Sequence, residues 1–155
     1  MRLLASTDYA LRVLMLLASL PGGGRMSVDA LARALGGLSR DHLHKIVQEL
    51  TALGITRTTR GTGGGVALAV RPEAVRLGSL VRQLEADQPV VECFRQDGCA
   101  CTLVPTCRLR GMLRSAQDRF YDSLEAHTLA DCLAGETLAG AVTRTKRRVR
   151  TPGVR

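Results

Sequence analysis

The chain has 155 residues, which is enough for one domain or for a small domain with an appended element. Hydrophobic residues make up 45% of it, but with two Phe, two Tyr and no Trp the core must consist of Leu, Val and Ala, which favours helices. The net charge of +8 is uneven, because six Lys and Arg residues after Thr143 leave only +2 for the rest. Overall charge therefore does not by itself indicate an anionic partner.

The first stretch of the chain is apolar enough to resemble a signal peptide, but Asp8 and Arg12 interrupt it and no clean cleavage site follows. The apolar run is also too short to span a bilayer. We therefore expect a cytoplasmic protein with no membrane partner, in which thiols stay reduced. Residues 7–20 are predicted to form a buried helix, with Asp8 favoured by the helix dipole in its first turn and Arg12 within reach to pair with it.

Two short helices joined by a glycine turn are predicted next. Ser27 is a good N-cap for a helix over 28–35, and Ser39 for a second helix over 40–53. Their apolar residues follow helical spacing on one face each. This arrangement is typical of a helix-turn-helix.

The second of these helices carries polar side chains where a recognition helix faces the major groove. Arg and Lys side chains read guanine edges or grip phosphate, and Asp accepts from cytosine. For a helix considered alone, a solvated face is the commoner explanation of such a pattern. The predicted DNA-contacting residues here are Ser39, Arg40, Asp41, His44 and Lys45.

A predicted β-hairpin follows, with strands over 55–60 and 66–70 and a glycine turn between them. The first strand is expected to alternate between buried and exposed residues. A hairpin placed directly after a recognition-type helix indicates a winged helix, and this shifts the balance toward DNA binding. No Lys-Ser or Lys-Thr follows the glycines, which excludes the phosphate loop of an NTPase. The wing residues expected to contact DNA are Arg57, Arg60, Gly63 and Gly64.

A helix over 77–84 leads into a cysteine-rich loop, and a long amphipathic helix follows Cys107 and ends near Ala126. Its apolar stripe suits packing on a partner helix, so we expect it to form a homodimer. The stripe consists of Leu109, Leu113, Ala116, Phe120 and Leu124.

The predicted fold is thus mainly α with a small β-hairpin wing, a winged helix-turn-helix plus a long dimerisation helix. Residues 1–78 form the DNA-binding domain, 79–135 the cysteine-loop and dimerisation region, and 136–155 a basic tail that is expected to be disordered. Cys132 lies in a short helix and is expected to be a small buried residue rather than a ligand.

Four of the five cysteines fall between Cys93 and Cys107. Clustered thiolates select soft metals: zinc, copper(I) or iron–sulfur clusters. The gaps of five, one and five residues suit the perimeter of an iron–sulfur cluster better than the close pairs of structural zinc sites. Zinc, a disulfide and free thiols remain open on spacing alone. An enzyme with a reactive cysteine is disfavoured, because no His and no acid–base pair accompany the loop.

The chain resembles the Rrf2 family of winged-helix transcription regulators along almost its whole length. The matching segments are TDYALRVLMLLA near the start, LSRDHLHKIVQEL in the recognition helix, RGTGGGVALA in the wing and TLADCL near the end. The segment CTLVPTCRL is similar to that of the nitric-oxide-sensing repressors of the family. The resemblance implies a homodimeric repressor that binds a two-fold operator in double-stranded DNA and holds one [4Fe–4S] cluster per subunit.

By the same resemblance, Cys93, Cys101 and Cys107 are the thiolate ligands, and Asp8 of the other subunit is the fourth. Arg12 would help to hold Asp8. Cys99 departs from the pattern and could replace Cys101. The implied mechanism is that cluster-loaded protein binds DNA and the nitrosylated form releases it. Without the resemblance, Asp8 would be taken for an ordinary first-turn acid paired with Arg12.

Two alternatives stay open. One is an iron- or redox-sensing member of the family with a [2Fe–2S] cluster. The cluster-assembly regulator of the family has a His three residues after its third cysteine, and Arg110 in that position counts against it. The other is a zinc-stabilised DNA-binding module that senses nothing.

Overall fold

A computed structural model describes residues 2–95 and 100–133, so the predicted basic tail lies outside the described residues. The fold is mainly helical with one antiparallel hairpin, which confirms the predicted fold class. The helices and strands are α1 Ala5–Ala18, α2 Val28–Ala34, α3 Arg40–Ala52, β1 Thr56–Thr59, β2 Gly65–Leu68, α4 Leu77–Leu84 and α5 Arg108–Glu125. Within the described residues, no helix is both long and apolar enough to cross a membrane.

Helix α1 begins two residues earlier than the predicted 7–20 and ends at Ala18. Its N-cap is Leu4, whose side chain offers no acceptor for the exposed backbone donors. The carboxylate of Glu85 takes over part of this role, since its Oε1 accepts the Leu4 N–H at 2.9 Å. That contact joins residues 81 positions apart, so local sequence patterns around α1 could not predict it.

The helix-turn-helix forms as predicted, and both serine caps are confirmed. Ser27 Oγ accepts the Ala30 N–H at 3.1 Å, and Ser39 Oγ accepts the His42 N–H at 3.2 Å. Between the helices, Gly37 adopts φ +87°, a left-handed conformation that favours glycine. The caps fix where α2 and α3 begin and therefore which residues α3 presents first.

The hairpin is shorter than predicted, and Thr56 pairs with Leu68 at its base. The expected alternation in the first strand is wrong, because Thr56 is buried and the next three residues are exposed. The buried Thr56 hydroxyl lies 3.0 Å from the Thr51 hydroxyl, which satisfies it. On the other strand, Val66 exchanges two backbone hydrogen bonds with Met26 and ties the wing to the start of the helix-turn-helix.

One hydrophobic core joins the two predicted regions. It draws on α1, α2, α3, β2 and α4, and it includes Leu129 from beyond α5. Helix α5 packs on α4 through Tyr121, which is buried, whereas Leu109 and Met112 are 60% and 61% exposed. Cys132 is half-buried rather than buried as predicted, because it lies in a 3-10 turn at the edge of this core.

Candidate functional site

The N-terminal half of α3 forms an exposed polar face. Leu43, Ile46, Val47 and Leu50 are all buried, so this side of the helix is committed to the core. The predicted contact residues are all exposed: Ser39, Arg40, Asp41, His44 and Lys45. Ser39 is the N-cap that precedes α3, and the other four lie on α3 away from its buried side. Positions spaced in this way share one helix face, as a recognition helix requires.

One partner on this face was missed from the sequence. Asp29, in the first turn of α2, receives the Arg40 guanidinium with Arg40 Nε 2.6 Å from Asp29 Oδ1. An acid in the first turn of a helix is explained locally by the helix dipole, so nothing in the spacing pointed to Arg40.

The wing tip depends on glycine. Gly63 adopts φ +78°, and a Cβ on Gly64 would contact the backbone oxygens of Thr59 and Gly61. The backbone at the tip is therefore uncovered by side chains from these two positions. Arg57 is exposed, and its guanidinium donates to the Leu68 carbonyl at 2.7 Å. Arg60 is also exposed and follows β1 directly.

The predicted ion pair lies on α1 and joins Asp8, in the first turn, to Arg12, four residues later. Arg12 Nη2 lies 2.8 Å from Asp8 Oδ2, and Arg12 Nε donates to Asp8 Oδ1 at 3.1 Å, so the contact is bidentate. The Arg12 guanidinium also lies 5.8 Å from the centre of the Tyr9 ring. The Tyr9 ring meets His42 edge-on, with 6.0 Å between ring centroids. The Asp8 end of α1 is therefore connected by side chains to the first turn of α3.

The cysteine loop runs from a 3-10 turn at Glu92–Phe94 to the start of α5. Cys93 and Cys107 are half-buried free thiols at its two ends, and Cys101 is also half-buried. Helix α5 holds the first of these ends, because Arg110 Nε donates to the Cys93 carbonyl at 3.3 Å. The alternative ligand Cys99 lies outside the described residues.

The described residues gather no group of three or more His, Cys, Asp or Glu side chains that could hold a metal ion. The predicted set of Cys93, Cys101, Cys107 and Asp8 is therefore not assembled within the described part of one chain. The chemistry of the donors nevertheless fits a thiolate-bound iron–sulfur cluster, since three soft sulfur ligands lie on one loop. A groove of about 430 Å³ borders Cys107, and positive charge favours anionic groups there. Its arginines are Arg108, Arg110 and Arg114.

Two buried or bridging acids were also missed. Glu85 is 7% exposed and lies at the C-cap of α4, where the helix dipole disfavours an acid. An acid at this unfavourable position is the one sequence feature that could have indicated a distant hydrogen-bond partner. Glu125 reaches back from the end of α5 to the first turn of α4, where its Oε2 accepts the Ser79 N–H at 2.6 Å. No local pattern indicates this second contact, because it depends on how α4 and α5 cross.

A capped helix-turn-helix, an exposed polar recognition helix and a glycine-tipped wing define a winged-helix DNA-binding regulator. The Rrf2 family model, described as an iron-dependent transcriptional regulator, matches residues 3–135. The chain belongs to the Rrf2 family, and it is accordingly a DNA-binding transcription regulator and not an enzyme.

Relatives agree with this assignment, and a solved structure agrees with the fold. The chain is 44% identical to the HTH-type transcriptional regulator NsrR of Geobacillus kaustophilus over 133 residues, which cover 86% of this chain and 90% of the relative. It is 38% identical to NsrR of Halalkalibacterium halodurans, over 94% of this chain and 99% of the relative. The fold is similar to that of oxidized Staphylococcus aureus CymR, with a TM-score of 0.67, 24% identity and coverage of 88% of this chain and 98% of that one.

Proposed function

We propose that the protein is a cytoplasmic, homodimeric repressor that releases a two-fold operator in double-stranded DNA when nitric oxide reacts with its [4Fe–4S] cluster. Residues 1–78 would bind the DNA, and residues 79–135 would hold the cluster and the dimer contact. The observation that carries the proposal is that one chain has both a thiol-rich loop and an acid, Asp8, on the helix that contacts the recognition helix. Similarity to NsrR proteins along most of the chain supports the same assignment.

Cys93, Cys101 and Cys107 would hold the cluster in one subunit, with Cys99 as an alternative to Cys101. The fourth ligand would be Asp8 of the partner subunit. One feature supports a ligand from a second copy: the Asp8 side chain is 49% exposed and is therefore accessible to a partner subunit. When bound, the cluster supplies an iron atom that can react with nitric oxide.

The chain's own residues provide a route from that ligand to DNA. Arg12 holds both carboxylate oxygens of Asp8 and so orients them. Tyr9, one residue further along α1, touches His42 in the first turn of α3. A change at Asp8 would therefore shift the end of α1 against the recognition helix. The two recognition helices of a dimer must stay about one helical turn of DNA apart, so a small shift would weaken operator binding.

The experiment is to record the absorption spectrum of anaerobically purified protein while nitric oxide is titrated in, with operator affinity measured on the same samples. We expect a broad visible band that collapses together with DNA binding. Equal operator affinity before and after the collapse would contradict nitric oxide sensing. A colourless protein with stoichiometric zinc would contradict the cluster and leave the zinc-stabilised module.

Matched cysteine variants test the ligand set. Cys107→Ser should abolish the visible band, whereas Cys132→Ser, which changes a thiol outside the loop, should retain it. Retention of the band by Cys107→Ser would refute that ligand assignment. Mixed dimers test the origin of the oxygen ligand. A chain with Asp8→Ala combined with a chain with Cys107→Ser contains one complete site only if Asp8 reaches across the dimer. Recovery of wild-type nitric oxide reactivity in half the sites is therefore the expected result.

A further inference from the structure

We infer that Asp29 is a positioning residue that holds Arg40 in the orientation needed to read a guanine edge. The inference rests on the DNA-binding part of the proposed function and is independent of the cluster. It starts from the ion pair between the first turns of α2 and α3, where Arg40 Nε lies 2.6 Å from Asp29 Oδ1. Both residues belong to the helix-turn-helix, and Arg40 is the first residue of the recognition helix.

The Arg40 side chain is 70% exposed, so its guanidinium is accessible to DNA while Asp29 contacts it. A guanidinium carries five N–H donors in a planar fork, and Asp29 engages it at Nε. The two terminal nitrogens can then make the paired contact with guanine O6 and N7 that is the commonest specific contact in the major groove. Because Asp29 fixes the plane of the fork, it reduces the rotamer entropy that Arg40 would otherwise lose on binding.

Stability alone does not account for this arrangement. The Arg40 side chain is 70% exposed and the Asp29 side chain 43% exposed, and ion pairs at such positions contribute little to folding. Asp29 also places a negative charge on a surface that meets phosphate, which weakens non-specific attraction to DNA. Both effects act in one direction: they raise the ratio of specific to non-specific affinity.

The test uses the full-length protein, purified anaerobically, and an operator duplex selected by that protein from a random library. Affinities for this duplex and for an unrelated duplex of equal length are measured at several salt concentrations. Asp29→Asn keeps the shape of the side chain and removes its charge. We expect it to lower the ratio of the two affinities about three- to tenfold, as a weakened base contact would. Glu49→Gln removes an exposed acid from α3 rather than from α2, and it should leave the ratio unchanged.

Arg40 variants separate base reading from phosphate contact. Arg40→Lys keeps the charge but loses the planar fork, so it should lower the ratio at least as much as Asp29→Asn. Adding Asp29→Asn to Arg40→Lys should then change the ratio of the two affinities little, because the two residues act through one contact. Circular dichroism and thermal unfolding check that each variant is folded.

Three outcomes are distinguishable. If wild-type protein discriminates between the duplexes but Asp29→Asn discriminates equally well, this inference alone is wrong. If Arg40→Ala weakens binding to both duplexes equally and lowers the salt dependence by about one phosphate contact, Arg40 grips phosphate and the inference is also wrong. If wild-type protein does not discriminate, operator binding itself fails, and this inference fails with it.

Discussion

The recognition helix and the long C-terminal helix differ in how much of their surface the chain itself covers. Helix α3 has 13 residues and buries Leu43, Ile46, Val47 and Leu50. Helix α5 has 18 residues, all of them described, and buries only Tyr121. The apolar face of α3 is therefore covered by the chain itself. Helix α5 keeps exposed apolar side chains that a second copy could cover.

The helix termini show the same difference. Ser27 and Ser39 cap their own helices over three residues of sequence. The N-terminal end of α1 is instead held by Glu85, and that of α4 by Glu125. The two helices of the helix-turn-helix are therefore capped locally, whereas the helix that carries Asp8 and the helix that leads to the cysteine loop depend on distant contacts. Such contacts can transmit a change from one region to another, which a regulator requires.

The largest expected effect comes from making the same truncation on both helices. Leu43→Ala removes a fully buried side chain of α3 and should lower the free energy of unfolding by about 2–5 kcal/mol. Leu109→Ala on α5 removes an exposed side chain and should change it by no more than about 0.5 kcal/mol in the monomer. Chemical denaturation at several protein concentrations measures both.

Protein concentration sharpens this comparison. The effect of Leu43→Ala should be the same at every concentration, because its contacts lie within one chain. The effect of Leu109→Ala should grow with concentration if the α5 face joins two copies, since association then adds to stability. A large loss of stability in Leu109→Ala at the lowest concentration would contradict the view that this face is uncovered in the monomer.

A smaller effect is expected from two glycine substitutions in neighbouring helices. A Cβ on Gly78 of α4 would meet the Tyr121 carbonyl oxygen and lie 2.6 Å from the Glu125 N, both backbone atoms. Gly78→Ala should therefore force α4 and α5 apart and lower the free energy of unfolding by about 1–3 kcal/mol. Thermal or chemical denaturation of the full chain is the measurement.

Gly111→Ala is the matched control, because Gly111 lies in α5 and nothing is within 4 Å of its added Cβ. Alanine has the higher helix propensity, so this variant should be stabilised by about 0.5–1 kcal/mol. Equal effects of the two substitutions would show that helix propensity, and not the close approach of α4 and α5, decides the outcome.

The sequence predicted the elements whose signals are local. Ser27 and Ser39 were identified as caps, and α4 was predicted with its observed bounds, because capping residues and apolar spacing act within a few residues. The start of α1 was predicted two residues late because its N-terminal support comes from Glu85. The alternation expected in β1 failed because the wing extends away from the core and exposes three of its four residues.

The candidate site was less accessible to prediction than the fold. The exposed polar face of α3 followed from its apolar spacing, and the Asp8–Arg12 pair followed from the four-residue separation. The pairing of Asp29 with Arg40 did not, because it depends on the angle between two helices. The ligand role of Asp8 rests on resemblance, since a contact between two subunits leaves no periodic signal in one sequence.

The smallest effect concerns Asp131, in the turn that returns the chain from α5 to the core. Its Oδ2 accepts the Thr128 N–H at 2.7 Å and the Thr128 hydroxyl at 3.0 Å, and these bonds, the backbone one first, lower the pKa of Asp131. Because the folded pKa lies below the unfolded value of about 3.9, the carboxylate stabilises the fold above that pH. This contribution is lost as the pH falls through the folded pKa.

Asp131→Asn should therefore be less stable than wild type at neutral pH, and the difference should shrink below about pH 4. Chemical denaturation across that range measures it. Thr128→Ala is a useful control, because it removes the hydroxyl and keeps the backbone N–H, so most of the pH dependence should survive. A difference between wild type and Asp131→Asn that stays constant down to low pH would mean that the charge of Asp131 does not stabilise the turn. Leu129, fully buried and bonded through its N–H to the Val75 carbonyl at 2.9 Å, links this turn to the core without that charge.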